Sequence, residues 1–68
     1  MEAGWSKIYT TDKPYQADML VELLEENSIV GVSVNKKDSS YLAFGEDEVY
    51  VKDEDVEKAK VIINESGL

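Results

Sequence analysis

Along this chain, stretches of alternating bulky and small side chains give way twice to stretches whose apolar residues recur at helical spacing. Residues 5–10 alternate around Trp5, Ile8 and Tyr9, which predicts a short strand. Thr11 or Asp12 then offers a helix cap, and Pro14 falls in the first turn, where a missing amide proton costs nothing; a helix is predicted over 14–26. Inside it Ala17, Leu20, Val21 and Leu24 stand at i, i+3, i+4 and i+7, a single core-facing stripe flanked by Met19 and Leu23. The flanking pair reads as the rim of the core, with a groove for a partner helix as the functional alternative. Asn27 and Ser28 close the helix, and Asn27 is the better candidate for the left-handed residue that such an end needs.

The clearest strand is 29–35, where Val30, Val32 and Val34 alternate with Gly31, Ser33 and Asn35. A polar break follows at 36–40, and a third strand is expected over 48–52, with Val49 and Val51 on one face and Tyr50 on the other. Between the two lies the stretch 41–47. With Gly45 marking a turn or bulge, Tyr41, Leu42, Ala43 and Phe44 either lengthen a hairpin or form an apolar loop. Asp53 is the expected cap of a second helix whose first turns hold Glu54, Asp55 and Glu57 and whose core face is Val56, Ala59, Ile62 and Ile63. It ends at Ser66 and Gly67.

The order is therefore strand, helix, strand, strand, helix, in a single domain over 1–68 with its core in about 5–65. A right-handed crossover from the first strand to the second, then a hairpin to the third, places the third strand in the middle. The fold class is α+β, a ferredoxin-like split βαβ arrangement: a three-stranded antiparallel sheet of order 1-3-2, covered on one face by two helices. Its first strand keeps an outer edge.

Alternation also sorts the aromatic residues. With Ile8, Val49, Val51 and the Val30, Val32, Val34 set turned to the helices, Trp5, Tyr9 and Tyr50 fall on the opposite face. These three are the candidate anchors for a protein partner or a second copy, with Tyr41 and Phe44 as a further contact from the connection before the last strand. The plainer reading is that the rings shield the back of a thin sheet and stabilise cross-strand pairs.

Charge narrows the choice of partner. Fifteen Asp and Glu stand against 7 Lys, a formal charge of -8, which opposes nucleic-acid backbones and anionic membranes alike. Base stacking on the aromatic face would have only Lys7 and Lys52 to support it. No run approaches the roughly 20 apolar residues of a membrane span, and the first residues lack the order of a signal peptide, so the expected address is the cytoplasm. There is no Cys and no His, hence no thiolate or imidazole chemistry, and the four Gly are isolated rather than gathered in a phosphate loop. The acidic groups Glu46, Asp47, Glu48 and Asp53, Glu54, Asp55, Glu57 have the oxygen chemistry for Ca²⁺ or Mg²⁺ but not the spacing of an EF-hand loop. No catalytic residue, cofactor site or metal site is assigned, and the domain is expected not to be an enzyme.

One pattern resembles a known family. Ile8-Tyr9-Thr10, Ala17, Leu23-Leu24-Glu25 before Ser28-Ile29, then Gly45, Glu48-Val49-Tyr50-Val51, Glu54-Asp55 and Ala59 are similar to a family of small prokaryotic domains of unknown function labelled "putative signal-transducing protein". The resemblance runs from Lys7 to about Ile63. Two positions depart from it: Ser28 stands where Gly is common after the first helix, and Lys52 or Asp53 where Pro often precedes the second. The family implies a link by fold to PII-type regulators and has no established catalytic residues to carry over. In such regulators the corresponding connection touches targets, an analogy that favours Tyr41 and Phe44. The expected function is a non-enzymatic cytoplasmic regulatory module that works by protein contact. The alternatives are a homodimeric sensor of an unidentified small metabolite, of ACT-like type, and a weak divalent-cation-binding domain.

Overall fold

The computed structural model of the protein describes residues 3–35 and 46–68. In chain order these form β1 (Trp5–Thr11), α1 (Pro14–Glu26), β2 (Gly31–Asn35), β3 (Asp47–Lys52), a 3-10 turn (Asp53–Asp55) and α2 (Val56–Ser66). The sheet is antiparallel with order β1-β3-β2, the α+β arrangement expected from the element order. Its core is Ala17, Leu20 and Leu24 of α1, Ile29, Val49 and Val51, and Ala59 of α2, all buried, with Ile8, Tyr9, Val21, Val56, Ile62, Ile63 and Leu68 packed around them. The helical stripes were thus legible in full, whereas three local features depart from the expected pattern.

The first is at the helix ends. Lys13, rather than Thr11 or Asp12, occupies the cap position of α1 and makes no side-chain cap bond. Thr11 works one step earlier: its Oγ1 accepts the Lys13 amide at 3.1 Å and its hydroxyl donates to Gln16 Oε1 at 2.7 Å. Asp53 likewise does not cap α2, which begins after the 3-10 turn with Asp55 at its cap position. Its amide donates instead to the Gly4 carbonyl at 2.9 Å, and its carboxylate accepts from the Ser6 hydroxyl, tying the end of β3 to the start of β1.

At the end of α1 the left-handed residue is Ser28 (φ 64°), and Asn27 is the cap before it. The Ile29 amide donates to the Leu24 carbonyl and the Ser28 amide to the Glu25 carbonyl, a Schellman closure whose apolar contact is Ile29 with Leu24. Asn27 uses its amide side chain to cover the Leu23 carbonyl at 2.9 Å. A serine in this conformation carries strain of about 1–2 kcal/mol that glycine lacks, partly offset by the larger entropy glycine loses on folding. Ser28→Gly should therefore stabilise the domain by roughly 0.5–1 kcal/mol, read as a melting temperature raised by a few degrees. An unchanged or lower value would mean that the strain is not there.

The second departure is a bulge in β1. Lys7 lies opposite Tyr50 and Tyr9 opposite Val49, so Ile8 is an extra residue with no partner of its own in β3. Beyond it the pleat is out of phase with the first half of the strand. Tyr9 therefore shares the helix face with Val49 and packs against the core, not the opposite face with Trp5 and Tyr50 as simple alternation implied.

The third is the facing of β2. Gly31 pairs with Val51 and Ser33 with Val49, so the small residues, not the valines, look toward the helices. The reason is space: a Cβ built on Gly31 would stand 2.8 Å from Leu24 Cδ1, closer than packed carbons approach. Alternation separates two faces without saying which is covered, and here the passage of α1 decides it. Val32 and Val34 turn the other way, and Val30, before the strand begins, is 56% exposed.

Candidate functional site

The face of the sheet turned away from both helices is built from three cross-strand rows. Trp5 stands opposite Lys52; Val32, Tyr50 and Lys7 form the next row; Val34, Glu48 and Thr10 form the third. Trp5 and Tyr50 are diagonal neighbours on adjacent strands, within reach of one another for side chains of this size. Both are half-buried. Of the three aromatic residues expected here, two are brought together and Tyr9 is not. Tyr41 and Phe44 lie outside the described residues.

Sequence reasoning missed Val32, Val34 and the polar centre of this face. Gly31 was the available signal, since a glycine inside a valine alternation marks close backbone approach on its own side. The polar centre is Glu48, buried at 9% exposure on a residue type that is seldom buried unless paired. Its Oε1 accepts the Tyr50 hydroxyl at 2.8 Å, and its Oε2 lies 3.5 Å from Lys7 Nζ, whose side chain is half-exposed. Successive residues of β3 alternate in face, so Asp47 is sent to the helix side opposite Thr11 and Asn35. It is buried, and its Oδ1 has no hydrogen-bond partner among the described residues. The pleat thus splits the acidic run that sequence offered for a divalent ion, and among the described residues no three candidate ligands come together.

The hydrogen bond to Glu48 raises the Tyr50 phenol above its ordinary value of 10.0, with burial and the charge of the carboxylate adding to the shift, because ionisation would set a second negative charge beside the first. The native state therefore keeps this proton to higher pH than the unfolded chain does. The stability it brings is fully present below the ordinary phenol value and is lost as pH rises through the folded one. Alkaline absorbance titration of the native protein, differenced against Tyr50→Phe, should place Tyr50 above the same residue in the urea-unfolded chain. Glu48→Gln should bring it part of the way back. A native titration coinciding with the unfolded one would contradict the Tyr50–Glu48 bond.

The family model that matches this chain is DUF2007, described as "Putative prokaryotic signal transducing protein", and it spans residues 5–67. The chain belongs to this family. Every strand and helix of the described fold lies within the matched span, so the sheet face is part of the DUF2007 domain itself. No curated protein and no solved structure matches the chain. Among the described residues no helix of this DUF2007 domain is long and apolar enough to cross a membrane.

Proposed function

We propose that this DUF2007 domain is a non-enzymatic, cytoplasmic signalling module whose sheet face docks a partner protein. Trp5 and Tyr50 are its anchors, Val32 and Val34 widen the apolar contact, and Lys7 and Lys52 orient it. The observation that carries the reading is the state of the polar groups on that face. Glu48 already receives Tyr50 and faces Lys7, so a partner that excludes water there does not strand a bare carboxylate. Aromatic anchors around such a satisfied centre match the hot spots of protein interfaces. The partner is taken to be a different protein, because two copies each carrying a charge of -8 repel as they approach.

The test begins with affinity capture on wild-type protein, followed by purification of the retained partner and measurement of its affinity for Trp5→Ala and Tyr50→Ala. Each variant should bind at least tenfold more weakly, about 1.4 kcal/mol, while circular dichroism stays that of the folded domain; Tyr50→Ala should melt somewhat lower, because Glu48 loses the hydroxyl that donates to it. Equal affinity would remove the sheet face from the function, and loss of folding in both variants would make the rings structural. Light scattering over a concentration series separates the competing case, a homodimer with a small ligand at its junction, because that reading requires a species of twice the chain mass.

A further inference from the structure

We propose that the groove between α1 and the end of α2 receives a basic amphipathic helix from a partner protein. This surface lies on the helical layer, away from the sheet face, and the inference does not rest on the docking role given to that face.

The groove has a volume of about 280 Å³ and is lined by Met19, Leu23 and Leu68, with Glu22, Glu26 and Ser66 at its margins. It has room for an aliphatic side chain or two. Met19 is 53% exposed and Tyr15, one turn earlier on the same helix, 59%. Tyr15, Met19 and Leu23 stand at i, i+4 and i+8, a continuous apolar ridge on the side of α1 that the core does not use. Beside it runs a second ridge at the same spacing: Asp18, Glu22 and Glu26.

That second ridge works against the fold. α1 contains four carboxylates, counting Glu25, and no lysine. Like charges four residues apart on a helix repel, and Glu25 and Glu26 sit in the last turn, at the negative end of the helix dipole, where no basic residue offsets them. Among the described residues none of the four is in an ion pair; the pair found there is Lys7 with Glu48, on the sheet face. Among the described residues no lysine lines the groove. An apolar ridge beside an unpaired acidic ridge is complementary to a helix with aliphatic residues on one side and Lys or Arg next to them. A second copy is the wrong occupant for a symmetric contact, since it would bring the same carboxylates face to face.

The probe is a synthetic helical peptide of about 18 residues, long enough to be helical when bound, with leucines at i, i+3, i+4 and i+7 and lysines flanking them. Its counterpart replaces lysine by glutamate. Binding is followed by amide chemical-shift changes and by fluorescence anisotropy. The lysine peptide should shift amides in 15–26 and 63–68, weaken with added salt, and bind at least tenfold less to Glu22→Lys/Glu26→Lys and to Met19→Ser; the glutamate peptide should not bind. Glu22→Lys/Glu26→Lys should also melt roughly 2–4 °C higher, because residue 22 then attracts Asp18 and Glu25 and residue 26 brings a cation to the negative end of the dipole, which outweighs the like pair 22/26 that remains, so its lost affinity is not lost folding. Glu54→Lys/Glu57→Lys changes net charge equally at the far end of α2 and should keep affinity within about twofold of wild type. Four results overturn the proposal: equal loss in that control, shifts centred on Lys7 and Tyr50, a dimer whose groove amides move with protein concentration alone, or no saturable binding up to millimolar peptide.

Discussion

Leu24→Ala is expected to lower the unfolding free energy by roughly 3–5 kcal/mol, near the top of the range for a buried leucine. Leu24 has no exposed surface, sits among Ala17, Leu20, Val49 and Val51, and its carbonyl receives the amide that closes α1. Its side chain also fills the space above Gly31, where the strand has no side chain of its own to relax into the void. A domain of this length has about 3–10 kcal/mol to lose. The variant should therefore lose about a third or more of its stability, which urea titration followed by circular dichroism would measure. A loss below 1 kcal/mol would mean that α1 does not pack on β2 as described.

Gly31→Ala attacks the same contact from the other side. The added Cβ would stand 2.8 Å from Leu24 Cδ1 and 3.8 Å from the Val21 Cα, so Leu24 must leave its position or β2 must move. Overpacking of this kind costs about 1–3 kcal/mol, reduced a little because alanine gives up less entropy than glycine on folding. The double variant is the sharper test. In Leu24→Ala the space above residue 31 is vacant, and the extra methyl then fills part of a cavity instead of striking a leucine. The two losses should fall short of additive by about 1 kcal/mol or more. Additive losses would place the two residues out of contact.

The sequence pattern was enough to read what depends on long periods. Ala17, Leu20 and Leu24 were read as core because a helical stripe of that width has one side to bury, and Val49 and Val51 because a central strand has its helix face covered. Order β1-β3-β2 followed from handedness and a hairpin. Period-2 reasoning failed where one residue changes phase. Ile8 is an insertion that only the pairing with β3 reveals, and it moved Tyr9 off the candidate site. In β2 the expectation turns the valines to the helices, but the approach of Leu24 to Gly31 reserves that side for the small residues and sends Val32 and Val34 to join Trp5 and Tyr50. The Glu48 centre was hidden for a related reason: a glutamate in an acidic run looks like a surface residue until its neighbours on the strand face are known.

The position of β3 has a consequence for how the domain comes into being. Every strand pair in the described sheet includes β3, the strand made last, and β1 and β2 are not neighbours of one another. A growing chain that has left the ribosome only as far as residue 35 thus holds two strands with no ladder between them and a helix whose greasy stripe has only part of its sheet to lie on. Insertion of residues 47–52 closes the distant pairing with β1 and brings Val49 and Val51 into the core, so both outer strands gain their ladders together, and α2 then adds Ala59. Until then the two strands are open to pairing with any extended chain nearby, from the time β2 emerges until β3 has followed it out.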